Sequence, residues 1–210
     1  MQKIIPAILT DDIEDLKNKL TLLENHATWV QIDIMDGKFV PNTSVNVAAL
    51  EVAYEFFSLE IHLMVANPET YFQDCMAIGA KRVIIHSEAA ENLGSALAHM
   101  KPHAFQKGVA INPQTDVSVL FPYLEYLDSV LILAVTPGFQ GQKFLPEVLE
   151  KVRKLKELAP DLIVGVDGGV NESNITQVFQ AGADYVAVGS ALFNTPDPLD
   201  ALKKLEKIIG

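Results

Sequence analysis

The sequence predicts an α/β protein, a single (β/α)8 TIM barrel spanning residues 1–210, and two observations lead there. Short apolar runs recur along the whole chain, each followed by a longer segment of helical periodicity, at a mean spacing of about 26 residues, the rhythm of βα units. Strands alternating with helices imply a parallel sheet, and eight such units within 210 residues fit closure into a barrel. An open, doubly wound sheet is the competing architecture. It calls for a G-x-G-x-x-G after the first strand, where this chain reads Pro6-Ala7-Ile8-Leu9-Thr10-Asp11.

The first strand is expected over Lys3–Leu9, followed by a helix over Asp11–Asn25. The second, Trp29–Met35, alternates Val30, Ile32 and Ile34 with Gln31, Asp33 and Met35; Gly37 ends it and Pro41 keeps the following residues extended. Next come a helix over Val45–Phe57, a strand over Leu59–Met64, a helix over Pro68–Ile78 and a strand over Arg82–His86. A helix over Leu93–Met100 leads to a strand over Lys107–Ile111, a helix over Val117–Tyr123 and a strand over Ser129–Val135. Helices over Pro146–Leu158, Asn174–Gln180 and Pro198–Ile208 then alternate with strands over Leu162–Val166 and Tyr185–Val188. Pro68, Pro146 and Pro198 stand where helices begin, and Gly79 and Gly182 where they stop. No linker, repeat of low complexity or long charge run divides the chain.

With 49% hydrophobic and 20% charged residues the composition is that of a globular protein. The net charge of -11, without a dense basic cluster, argues against nucleic acid as a partner. No apolar run approaches a membrane span and the N-terminus lacks a signal-peptide pattern, so no membrane partner is expected and the cytoplasm is the expected address. The single Cys75 excludes an intramolecular disulfide and reads as a buried thiol.

Barrels of this kind place chemistry at the C-terminal ends of their strands, where this chain gathers polar residues and glycines. Strand two brings Gln31, Asp33 and Asp36; strand three His62 and Met64; strand four His86 and Glu88; strand five Asn112. Strand six brings the turn Thr136-Pro137-Gly138-Phe139-Gln140-Gly141-Gln142, strand seven Asp167-Gly168-Gly169, and strand eight Gly189-Ser190. Glycine turns on three adjacent strands let backbone amides approach an anion closely, and the loops after strands seven and eight are the usual phosphate site of such barrels, which points to a phosphorylated ligand.

Asp33 and Asp167 face each other across the mouth, as a two-base proton transfer at carbon requires. The enediolate this would create needs stabilisation, which a divalent metal ion supplies, and His62 with the two aspartates offers three N and O ligands. Asp36 is expected to shape the turn to Gly37, His86 to pair with Glu88 or support the site from behind, and Met35 and Met64 to form an apolar lid or pack the core. His26, His99 and His103 fall away from the rim.

Together these residues resemble the ribulose-phosphate 3-epimerase family over essentially the whole chain. The motifs are Pro6-x-Ile8-Leu9, Asp33-Ile34-Met35-Asp36-Gly37 with Val40-Pro41-Asn42, and His62-Leu63-Met64-Val65. They continue with Pro137-Gly138-Phe139-x-Gly141-Gln142-Lys143-Phe144, Val166-Asp167-Gly168-Gly169-Val170 and Gly189-Ser190-Ala191. The resemblance implies conversion of D-ribulose 5-phosphate to D-xylulose 5-phosphate by inversion at C3, with Asp33 and Asp167 as acid/base residues. It also implies that both ligate a divalent metal with His62, and that Gly138, Phe139, Gln140, Gly141, Gly168, Gly169, Gly189 and Ser190 hold the phosphate. Zinc, iron, manganese and magnesium are the candidate ions. A homo-oligomer stays open, with no interface legible in the sequence.

The chain departs from the family pattern at four positions. Gln31 stands where the family has a histidine ligand, which makes it the fourth candidate ligand, and a weaker one. Ala7 replaces a substrate-contacting serine, Leu133 the third methionine of the lid, and Gln140 a glycine of the phosphate turn. Three competing readings follow: another pentulose or hexulose phosphate as substrate, a sugar-phosphate lyase or decarboxylase, and a noncatalytic phosphosugar-binding barrel. The lyase reading expects an Asp-x-Lys-x-x-Asp strand, and Asp33-Ile34-Met35-Asp36 lacks the lysine.

Overall fold

The computed structural model describes residues 3–52, 56–90 and 92–210, and its eight parallel strands close into a barrel in chain order. They are β1 (Ile4–Ile8), β2 (Trp29–Met35), β3 (Ser58–Met64), β4 (Arg82–His86), β5 (Gln106–Ile111), β6 (Ser129–Leu133), β7 (Ile163–Asp167) and β8 (Tyr185–Val188). The α-helices are α1 (Ile13–Leu23), α2 (Phe72–Ala77), α3 (Leu93–Met100), α4 (Leu149–Leu158), α5 (Ile175–Gln180), α6 (Ser190–Phe193) and α7 (Pro198–Ile209). Covered on one side by helices and on the other by the barrel's own filling, β1, β4, β6 and β8 are buried at every residue. This is why they read as near-continuous apolar runs in the sequence.

The expected strands all form, with ends shifted by a residue or two. β6 stops at Leu133 instead of Val135, and β7 runs one residue further, so that Asp167 joins the ladder opposite Leu133 and Ala187. The helices differ more. Over Val45–Phe57 the chain forms a 3₁₀ helix at Val47–Val52, begun by an Asn46 side chain that accepts the Ala48 amide. Residues 53–55 of that expectation lie outside the described residues. Val117–Tyr126 is also 3₁₀, because Pro122 inside it has no N–H for an α-helical ladder. Pro68–Tyr71 and Pro146–Val148 are 3₁₀ lead-ins to α2 and α4. The four-residue α6 was not expected, since one turn carries no periodicity to detect. Side-chain caps fix other starts: Asp12 accepts the Glu14 amide at 2.8 Å and Asp197 the Asp200 amide at 3.0 Å.

Two apolar layers result. The larger lies between the strands' outer faces and the helices, and the smaller fills the barrel with Ile5, Ile84, Ala110, Leu131, Leu133 and Tyr185. Beneath the mouth a buried ion pair forms the floor. Arg82 Nη1 donates to Glu60 Oε2 at 2.6 Å, the Tyr185 hydroxyl donates to the same oxygen at 3.0 Å, and Arg82 Nε donates to Gln106 Oε1 at 3.0 Å. Arg82 also lies over the Trp29 and Tyr185 rings. Tyr185 reaches this position by crossing Gly165 on β7, where a Cβ would collide with its ring. Strand register then builds the next layer up: Ala7 beside Gln31, Asp33 beside His62, and Leu133 beside Asp167.

Candidate active site

Period-two alternation aims Gln31 and Asp33 of β2 and His62 of β3 into the barrel mouth, and β7 delivers Asp167 from the far side. Gln31, fully buried, gives its amide nitrogen to both carboxylates, at 2.9 Å from Asp33 Oδ1 and 2.7 Å from Asp167 Oδ2. His62 Nδ1 lies 3.0 Å from Asp33 Oδ1 and 3.7 Å from Asp167 Oδ2. Two acceptor oxygens from opposite sides of the barrel are thereby held around two nitrogen donors. Among the described residues the buried Gln31 Oε1 atom has no hydrogen-bond partner.

Behind His62 stands a second histidine. His62 Nε2 lies 2.9 Å from His86 Nε2, with the rings stacked at 5.0 Å, and Phe39 packs on the other side of His86 at 4.9 Å. His86 Nδ1 lies 3.3 Å from Glu88 Oε2, and Glu88 Oε1 accepts the Asn112 amide at 2.8 Å and the Thr115 hydroxyl. Burial disfavours charge on Glu88, but the bonds from His86, Thr115 and Asn112 outweigh it and hold the carboxyl down at about 2. Burial depresses His86 to about 4, so it is neutral. Burial opposes charge on His62 as well, yet the bond and charge of Asp33, with Asp167 and Glu60 beyond, raise it above the usual histidine range. Asp167 is pushed up to about 7, first by burial and then by the Asp33 charge, against the pull of His62 and Gln31. The raised pKa values of His62 and Asp167 both favour their protonated forms, which offsets the crowding of carboxylates.

The donor set fits a divalent metal ion. Asp33, His62 and Asp167 each offer one ligand atom, and these lie within 4.8 Å of one another. Gln31 meets the carboxylates through its nitrogen, so in this conformation it enters the site as a donor rather than as a ligand; its unpartnered oxygen is the only ligating atom it has left to offer.

Around this cluster opens a cavity lined by Ala7, Met35, Met64, Leu133 and the turns after β6, β7 and β8. Gly138, Phe139, Gln140, Gly141, Gly168, Gly169, Gly189 and Ser190 all border it. Gly168 (φ 103°) and Gly169 (φ 68°) occupy left-handed backbone, and a Cβ on Gly169 would come within 2.7 Å of the Phe144 nitrogen. Among the described residues, no protein acceptor takes the amides of Gly169 or Ser190. The β6 turn is strapped across the mouth: Gln140 Nε2 donates to the Leu9 carbonyl at 2.7 Å, and Asn42 Nδ2 to the Gly138 carbonyl at 3.3 Å.

The chain matches the Ribulose-phosphate 3 epimerase family over residues 3–193. It belongs to that family. This epimerase family chain is 35% identical over 213 residues to the ribulose-phosphate 3-epimerase of Bacillus subtilis, covering 98% of each sequence. It is 35% identical over 208 residues to that of Synechocystis sp., covering 95% of this chain and 90% of the relative. By membership it is a carbohydrate epimerase acting on a ketose phosphate. The same fold recurs at low identity. KGPDC from Streptococcus mutans superposes with a TM-score of 0.78 at 14% identity over 100% of this chain and 97% of that one. A 3-hexulose-6-phosphate synthase from Salmonella typhimurium gives 0.75 at 15% identity over 99% and 98%.

Asp33, His62, Asp167 and the turns after β6, β7 and β8 border one cavity, whereas Asp36, His86, Glu88 and Asn112 lie outside its lining. Met35 and Met64 cluster with Val40 against Leu9 and Phe39, whereas Leu133 belongs to the barrel filling and meets the cavity from below. Phe139 projects outward at 59% exposure. Asp36 accepts the amides of Lys38, Phe39 and Ala66, the turn-shaping role expected of it. Sequence reading missed Thr115 and the Glu60–Arg82 floor. Charged residues at the start of otherwise apolar strands were the available signal for the floor; Thr115 had none. Among the described residues no helix is long and apolar enough to cross a membrane.

Proposed function

We propose that the protein interconverts D-ribulose 5-phosphate and D-xylulose 5-phosphate by two-base proton transfer at C3. One observation carries the reading: Asp33 of β2 and Asp167 of β7 converge beside His62 with ligand atoms within 4.8 Å. In this reading one carboxylate removes the C3 proton from one face of the bound ketose, and the other carboxylic acid returns a proton to the opposite face. Asp33, His62 and Asp167 would hold a divalent ion, zinc, iron, manganese or magnesium, which when bound supplies Lewis-acid stabilisation of the enediolate oxygens. Gln31 keeps the two carboxylates at a fixed separation.

Amides of the Gly138–Gly141, Gly168–Gly169 and Gly189–Ser190 turns anchor the substrate phosphate and so place C3 between the aspartates. The free Gly169 and Ser190 amides support that role. Met35, Met64 and Leu133 exclude water from the reacting carbon, which guards the enediolate against side reactions. A charged sugar phosphate does not cross an apolar bilayer unaided, and we place the reaction in the cytoplasm.

The test is proton NMR of ribulose 5-phosphate in deuterium oxide with purified protein and each of the four metals. C3 deuterium incorporation with appearance of xylulose 5-phosphate is expected. Exchange only with a hexulose 6-phosphate would reassign the substrate, and no exchange with either would reject the reading.

A further inference from the structure

We propose that Glu88 and His86 are positioning residues that set the direction of a hydrogen-bond relay, so that His62 commits a hydrogen on Nε2 to His86 and offers Nδ1, which now donates to Asp33 at 3.0 Å, as the nitrogen that ligates a metal once its hydrogen leaves. The inference rests on the metal reading above and assigns a role to groups that reading does not use.

Donor and acceptor rules fix the relay from its outer end. The Asn112 N–H is a donor that cannot reverse, and its peptide is pinned. Lys151 Nζ donates to the Asn112, Pro113 and Thr115 carbonyls at 3.0, 2.7 and 2.6 Å, and the Thr115 amide donates to the Asn112 carbonyl. Glu88 Oε1 accepts the Asn112 amide and the Thr115 hydroxyl, which leaves Oε2 for His86. A carboxylate only accepts, so His86 Nδ1 carries a hydrogen and donates. With its hydrogen on Nδ1 the His86 ring can accept at Nε2, 2.9 Å from His62 Nε2, which is what a His62 that ligates through Nδ1 needs. His62 therefore keeps a hydrogen on Nε2, and its other nitrogen is the one free to ligate. Burial makes the arrangement rigid. Both histidines are fully buried, His86 stacks on His62 and Phe39 packs against His86 at a tilt, so neither ring can turn over without leaving a polar nitrogen in an apolar wall.

Glu88→Gln reverses the relay without changing its shape. The glutamine oxygen must take the fixed Asn112 N–H, so its NH2 group faces His86 Nδ1 and forces that nitrogen to accept. His86 then donates from Nε2 to His62 Nε2, and the one hydrogen His62 keeps is on Nδ1, where Asp33 accepts it. Thr115→Val is the matched control, because it removes a bond to the same carboxylate and leaves the direction intact.

Two measurements on the full chain test this. Nitrogen-15 NMR of metal-free protein should find the His86 hydrogen on Nδ1 in the parent and in Thr115→Val, and on Nε2 in Glu88→Gln. Zinc affinity by chelator competition should fall about 10- to 100-fold in Glu88→Gln and stay within about threefold in Thr115→Val. An unchanged His86 tautomer, an unchanged zinc affinity in Glu88→Gln, or an equal loss in Thr115→Val overturns the inference. A parent chain that binds no zinc rejects the metal reading itself and takes the inference with it, an outcome distinct from equal affinities in parent and variant.

Discussion

The Gln31 amide nitrogen lies 2.7 Å from Asp167 Oδ2, joining β2 to β7 across the barrel mouth. The bond uses hydrogens that an imidazole ligand at this position would not present, and it leaves the Gln31 oxygen buried and unpartnered. The Gln31 bonds hold the two carboxylates together by themselves, and an ion ligated by the same oxygens would have to compete with both.

Replacing Gln31 by histidine should shift that balance. A ring nitrogen ligates where the amide nitrogen donates, and no orphaned oxygen is left behind. Gln31→His is expected to bind zinc at least about tenfold more tightly than the parent in a chelator competition, with a higher epimerisation rate at limiting metal.

The two aspartates should separate in an isotope experiment. Asp33→Asn and Asp167→Asn are each expected to lower epimerisation by about 10³-fold or more. Each variant should still exchange the C3 proton with deuterium oxide from one of the two epimeric substrates, and the two variants should favour opposite epimers. Loss of exchange from both epimers in both variants would point to a single shared base.

Asp167 makes metal-free stability depend on pH in a definite direction. Its carboxyl titrates at 3.8 when unperturbed and is pushed up to about 7 in the fold, so the folded state holds this proton more tightly than the unfolded one. The contribution is fully present below pH 3.8 and is lost as the pH rises through about 7. Asp167→Asn removes the charge, and should raise the melting temperature of chelator-treated protein at pH 8 by about 4 °C or more while leaving it unchanged near pH 4. A variant less stable than the parent at pH 8 would contradict this sign.

Gly169 joins two of the glycine turns. It sits at φ 68°, and a Cβ there would press on the Phe144 backbone at 2.7 and 2.9 Å. Gly169→Ala is therefore expected to destabilise the protein by about 1–3 kcal/mol in urea titration. It should also raise KM for the phosphorylated ketose about tenfold or more with a smaller change in kcat, since in the proposed reading the amide that moves holds the phosphate and not C3.

Much of this was legible in the chain itself, for identifiable reasons. Strands buried on both faces leave continuous apolar runs, and Asp33 and Asp167 were conspicuous because carboxylates at the ends of such runs demand a purpose. Local chemistry misled where two helical geometries share one composition: Pro122 was visible, but the sequence did not say that its segment would tighten to 3₁₀. Relationships between strands were out of reach. Gln31 was conspicuous as a departure, yet its bridging of Asp33 and Asp167 depends on β7 arriving from the other side of the barrel. Tyr185 reaches Glu60 over Gly165, a contact that only closure of the sheet creates.

The Glu60–Arg82 floor acquires a meaning from simple electroneutrality. Asp33, Asp167 and Glu60 bring three negative charges into the barrel, and Arg82 returns one positive charge. Two units of positive charge complete the balance. Hydrogens on His62 and Asp167, whose raised pKa values favour the protonated forms, offset part of this, and a single divalent ion would supply both units. The valence of the ion this barrel suits is therefore written partly in a salt bridge that never touches it.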